Sequence, residues 1–129
     1  MLNVLIREYY DVDLSFNNVI DLKSLKNIHT LNLNSCVEIK AVNILKDIHT
    51  LNLSRCRHLV DVSPLKNVHT LNLSECGFIT DISALKNVHI LVLSCCAGII
   101  DVSPLYSVHT LDLSHCNNAD ISTLGVTIH

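Results

Sequence analysis

Apolar residues return to the same places along this chain every 20 residues. Between 68 and 85 the apolar set is Val68, Leu71, Leu73, Cys76, Ile79, Ile82 and Leu85, with polar residues between them. Leu71 and Leu73 flank Asn72, which is strand spacing with one face buried, so Thr70, Asn72 and Ser74 face outward. The stretch Val68–Cys76 recurs as Ile28–Cys36, Ile48–Cys56, Val88–Cys96 and Val108–Cys116. His29, His49, His69, His89 and His109 step by 20, and so do Cys36, Cys56, Cys76, Cys96 and Cys116. A fixed period in this range specifies a solenoid, in which each coil buries its apolar edge only against its neighbours. Parallel strands are expected near Asp13, Asn32, Asn52, Asn72, Val92 and Asp112.

The rest of each coil is a return path. Segments such as Asp61–Pro64 and Asp81–Ala84 lead back to the next strand. Ser63 as N-cap and Pro64 as first helical residue predict a single helical turn, ended by a left-handed Asn67 or Asn87. A coil this short has no room for a long helix. Residues 1–24 form a degenerate first repeat and cap: Val12 and Leu14 match Leu31 and Leu33 at an offset of 19, Asn17 takes the cysteine place, and Tyr10 stands where later coils have histidine. Leu2, Val4, Leu5 and Ile6 are available to cover it. Residues 25–104 hold four regular repeats. Residues 105–129 form a last irregular repeat and a tail in which Val126 and Ile128 alternate as in a short strand.

The pattern LxxLxLxxC followed by IxDISPL resembles the leucine-rich repeat, with Val68, Leu71, Leu73 and Cys76 in the signature places. The return looks like the internalin type and the cysteine like the cysteine-containing type. The resemblance covers about residues 4–124. It implies a strand-dominated α/β-type solenoid: a right-handed superhelix with a parallel sheet on the concave face and turns or 3-10 segments on the convex face. It also implies a protein-binding module.

Composition narrows the classes further. The chain has 129 residues, 4% aromatic, no Trp and a net charge of −3 with His neutral. A core of regular Leu, Ile and Val stacks needs few aromatics, and no basic footprint of a nucleic-acid binder is present. No apolar run reaches the length of a membrane helix. The start of the chain lacks a secretory signal pattern, which favours an intracellular, cytoplasmic location, in a host cell if the source is a virus or parasite. Five of the six cysteines fall once per coil. Stacking at about 4.8 Å keeps their Cβ atoms too far apart for a relaxed disulfide, so they read as buried thiols.

The histidine file reads as a structural ladder whose rings stack and bond the bend. Divalent-metal binding and pH sensing suit the residue type, but a translated file does not converge as a metal site must. Asp61, Asp81 and Asp101 place like charges side by side, which calls for backbone N–H donors at the return turns. Lys26, Lys46, Lys66 and Lys86 make a solvated stripe on the return side. No nucleophile, base and acid are grouped and no Gly-rich phosphate loop occurs, so neither catalysis nor a metal or other cofactor is expected.

Columns that vary between coils read as free of structural duty. Arg55, Glu75, Phe78 and Cys95 fall in them, and Ile90 and Val92 replace Thr and Asn on the neighbouring strand face. These six are the candidate partner-binding residues. Cys95 stands outside the cysteine file and is the candidate reactive thiol. The expected function is a non-catalytic adaptor that binds a protein on the strand face and rim. The alternatives are a structural repeat that self-associates end to end or by its edges, and ice or ordered-surface binding by the regular Thr and Asn grid.

Overall fold

A computed structural model describes residues 10–18, 21–25 and 27–124. The expected N-terminal apolar cover and the strand at Val126 and Ile128 lie outside the described residues, as does Lys26.

Six parallel strands form one open sheet in sequence order: β1 (Tyr10–Asp13), β2 (Ile28–Asn32), β3 (Thr50–Asn52), β4 (Thr70–Asn72), β5 (Ile90–Val92) and β6 (Thr110–Asp112). From β2 onward each residue pairs with its counterpart in the next coil, Leu31 with Leu51 and Leu51 with Leu71. In-register stacking carries every apolar column straight down the interior. Leu33, Leu53, Leu73 and Leu93 are fully buried, as are Cys36, Cys56, Cys76 and Cys96. The return path adds Val42, Val62, Ile82 and Val102, then Leu45, Leu65, Leu85 and Leu105. At the ends Val12, Leu14, Val108 and Leu111 are only partly buried.

Three details differ from the expectation. The strands end at Asp13, Asn32, Asn52, Asn72, Val92 and Asp112 instead of being centred there, and in every coil but that of Val92 a side-chain oxygen braces the exit. Asn72 Oδ1 accepts from the Ser74 N–H and hydroxyl at 2.9 and 2.6 Å, and Asn52 and Asp112 do the same for Ser54 and Ser114. Second, Tyr10 pairs with Ile28, not with the histidine place, and the register shifts before Asp11 pairs with Thr30. Asp11, Val12 and Asp13 pair at a constant offset of 19, so the missing residue of the first coil falls in its return path and the bulge is a separate irregularity at the strand's start.

The third concerns the return. Each coil makes a short 3-10 turn, as at Ser63–Leu65 and Ser103–Leu105, with Pro in its first positions. Ser63 is not the cap. The Asp61 carboxylate two residues earlier accepts the Ser63 N–H at 2.9 Å, and Asp81, Asp101 and Asp120 serve Ser83, Ser103 and Ser122 alike. These bonds, from hydroxyl and backbone, hold the carboxyls of Asp61, Asp81, Asp101 and Asp120 below the usual carboxylate range. Asn67 and Asn87 are not left-handed. After the turn Lys66 stays in the right-handed helical region, and in that column only Asn27, beside the shortened first coil, has positive φ (56°).

Candidate interaction surface

Each file cysteine ties its coil to the one before. The Sγ of Cys76 donates to the Leu53 carbonyl at 3.2 Å, that of Cys96 to Leu73 at 3.0 Å and that of Cys116 to Leu93 at 2.8 Å. Cys36 donates to Leu14 at 3.2 Å, while Asn17 in the first coil bonds its own Leu14 carbonyl at 2.8 Å. Burial pushes the thiols of Cys56, Cys76 and Cys96 up to about 12. They stay protonated and serve as donors as well as small apolar groups.

The histidine file stacks as expected. Ring centroids of His29, His49, His69, His89 and His109 are 4.4 to 4.7 Å apart. In four coils the ring Nδ1 lies 2.9 to 3.1 Å from the hydroxyl of the next residue, Thr30, Thr50, Thr70 or Thr110. His89 differs, because Ile90 has no hydroxyl, and its ring tilts most from its neighbour, by 27° from His69. Desolvation, then the charges of adjacent rings, lowers the pKa of both His49 and His89. Among the described residues no three His, Cys, Asp or Glu side chains converge as a metal site.

The coil of residues 85–104 therefore breaks the polar surface twice. Ile90 removes the hydroxyl beside His89. Val92 removes the side-chain oxygen, carboxamide or carboxylate, that braces every other strand exit, and the Ser94 hydroxyl bonds Ser74 at 2.9 Å instead. Ile90 and Val92 are half-buried and next to each other on the strand face. The polar grid on the other coils is less free than its pattern implied, since the Asn52 and Asn72 side-chain oxygens are engaged within their own coils.

Beyond the strand exit lies a rim built by tight turns, and here the column that reads as free of structural duty is not. Phe16, Ser35, Arg55, Glu75, Cys95 and His115 all have left-handed backbone, φ 59° to 63°. A non-glycine residue pays a conformational penalty of roughly 1 kcal/mol there, and Arg, Glu or Cys carries no sequence mark of it. Gly98, in the same variable column as Phe78, is also constrained: a Cβ there would stand 2.8 Å from the carbonyls of Gly77 and Ile79 in the preceding coil.

The candidate residues fall in two adjoining groups. On the rim Arg55 Nε donates to Glu75 Oε1 at 3.1 Å. Arg57, Glu75, Gly77, Phe78 and Cys95 line one open groove. A second holds Phe16, Ser35, Val37, Arg55, Arg57 and Glu75, so the two join at Arg57 and Glu75. Ile90 and Val92 lie on the strand behind Cys95. Phe16 and Arg57 were missed by column reading. Phe16 was findable, since it aligns with Ser35 and Arg55 once the shorter first coil is allowed for. Phe16 and Phe78, the chain's two phenylalanines, are 69% and 67% exposed on this rim. Lys46, Lys66 and Lys86 are exposed on the return side.

A parallel sheet of stacked short coils, with a 3-10 return in each, defines a leucine-rich-repeat protein. Among solved structures the chain is similar to internalin C2 from Listeria monocytogenes str. 4b F2365, with a TM-score of 0.54 and 26% identity. The match covers 81% of this chain and 59% of that one, so the chain spans less than two thirds of its relative. No protein-family model and no curated protein matches. No helix among the described residues is long and apolar enough to cross a membrane.

Proposed function

We infer that the protein is a non-catalytic interaction module whose protein partner docks on the strand face and exit rim around residues 85–104. Arg55, Glu75, Phe78, Ile90, Val92 and Cys95 make the contact. The observation that carries this reading is the local break in the ladder at Ile90 and Val92. The buried columns are consumed by the core, and the Asp and Ser columns by the return turns. On the strand face what remains outward is polar and repetitive except here, where two apolar side chains adjoin a rim with an exposed aromatic and an ion pair; Ile44, Val60, Ile100, Tyr106 and Ile121 are exposed singly elsewhere. An apolar centre edged by aromatic and charged groups is how interaction hot spots are built.

The test is a double substitution, Ile90→Thr with Val92→Asn. Both residues are those of the neighbouring coils. Asn at 92 regains a carboxamide for the Ser94 N–H, and Thr at 90 a hydroxyl for His89, so the fold is kept. Capture of the partner from the native source should weaken by more than about 1 kcal/mol. Unchanged capture by this variant, with loss on substituting Lys66 and Lys86, would move the site to the return side.

A further inference from the structure

We propose that the exit rim takes an extended acidic segment of the partner protein, with a carboxylate on Arg57 and apolar side chains against Phe16 and Phe78. This rests on the reading of the protein as an interaction module and names the chemistry of its ligand. Two observations support it.

The first is the balance of charge within the groove. Its charged lining residues are Arg55, Arg57 and Glu75. Glu75 is matched by Arg55 at 3.1 Å. Arg57, exposed where the two grooves meet, makes no ion pair or hydrogen bond among the described residues. One guanidinium is left over, and its planar fork fits a carboxylate in two-point contact.

The second is spacing. Phe16 lies in the first coil and Phe78 in the fourth, three steps apart. At about 4.8 Å per step the aromatics stand on the order of 14 Å apart along the sheet. An extended peptide advances about 3.3 Å per residue and shows residues i, i+2 and i+4 on one face. Apolar residues at i and i+4 then meet the two rings. Arg57 lies in the third coil, two steps from Phe16 and one from Phe78, so an acidic residue at i+2 falls about 3 Å from its level, a gap its long side chain spans.

The experiment is to select a displayed library of random seven-residue peptides on the purified full chain, then repeat it on Arg57→Gln, Phe78→Ser and Lys66→Gln variants. Arg57 is exposed and unpaired, so R57Q leaves the fold intact, as circular dichroism would verify. The expected result is enrichment of Asp or Glu flanked two positions away on each side by apolar residues. Binding of such a peptide should fall at least tenfold on R57Q and on F78S, and stay unchanged on K66Q. Absence of an enriched motif, a basic motif, or an acidic motif that R57Q binds equally well would overturn the proposal. If capture of the partner is lost with Ile90→Thr and Val92→Asn but not with R57Q, the rim ligand falls and the strand-face reading stands. If neither variant affects capture, both fall.

Discussion

The Cys76 thiol donates to the carbonyl of Leu53, 3.2 Å away in the preceding coil. The same bond recurs at Cys56, Cys96 and Cys116, so the cysteine file is a set of coil-to-coil ties. Buried thiols held up to about 12 supply almost no thiolate. Cys95 lies outside the file and is exposed. A thiol reagent applied to the native protein should modify Cys95 alone, with the others reacting only at the rate of unfolding. Modification of Cys56 or Cys76 at a rate near that of Cys95, read by peptide mass mapping, would show that the ties open readily.

Gly77 and Gly98 look alike in sequence but differ in surroundings. A Cβ on Gly77 meets nothing within 4 Å, whereas one on Gly98 meets two backbone carbonyls at 2.8 Å. Backbone cannot yield as a flexible side chain can. Gly98→Ala should cost about 1–3 kcal/mol, in the range of overpacking, and Gly77→Ala should be near neutral. Urea midpoints of the two variants check this, and equal midpoints would contradict it.

Cys95 has φ of 61°, so its Cβ is strained. Cys95→Gly removes the strain and Cys95→Ala keeps it. The Gly variant should exceed the Ala variant in stability by about 0.5–1 kcal/mol, a sign opposite to the usual glycine penalty. An Ala variant as stable as the Gly variant would mean the turn relaxes without cost.

The histidine file makes the fold sensitive to mild acid. Folded-state pKa values of His49 and His89 are lowered, first by desolvation and then by neighbouring rings. Between the lowered folded values and the unfolded value of about 6.5 the unfolded chain binds more protons than the folded one. Stability from the neutral ladder is therefore present above about 6.5 and lost as pH falls from there through the folded values. The carboxyls of Asp61, Asp81, Asp101, Asp112 and Asp120 are also lowered, and their contribution fades only below about 3.9. Denaturant midpoints should fall between about pH 7 and pH 5. Replacing His49 and His89 with Gln should flatten that part of the curve.

The sequence made the stacking legible because Leu71, Leu73, Cys76, Ile79, Ile82 and Leu85 recur at constant offset, and in-register pairing requires that regularity. Periodicity assigns a side chain to a face but not to a bond. The turn made by Asn72 and Ser74 and the Cys76 tie therefore became clear only with the hydrogen bonds, whereas the Asp61 turn was legible from a file of like charges that needs backbone donors. The left-handed column was hidden because Arg55, Glu75 and Cys95 are not residues that favour it. The closeness of Gly98 to Gly77 and Ile79 depends on how two turns nest. The candidate surface was legible at Ile90 and Val92, where a repeated pattern fails. Phe16 joins it by alignment with Ser35 and Arg55 once the shorter first coil is allowed for, while Arg57 joins it only because the two grooves meet there.

Site-specific photocrosslinking tests the docking surface most directly. A benzoyl-phenylalanine placed at position 92, at 78, or at 66 on the return side reports which surface lies within reach of the bound partner. The expected result in the native source is one discrete adduct of the same mass from positions 92 and 78, and none from 66. An adduct from position 66 with none from 92 or 78 would contradict the assignment of the strand face and exit rim as the interaction surface.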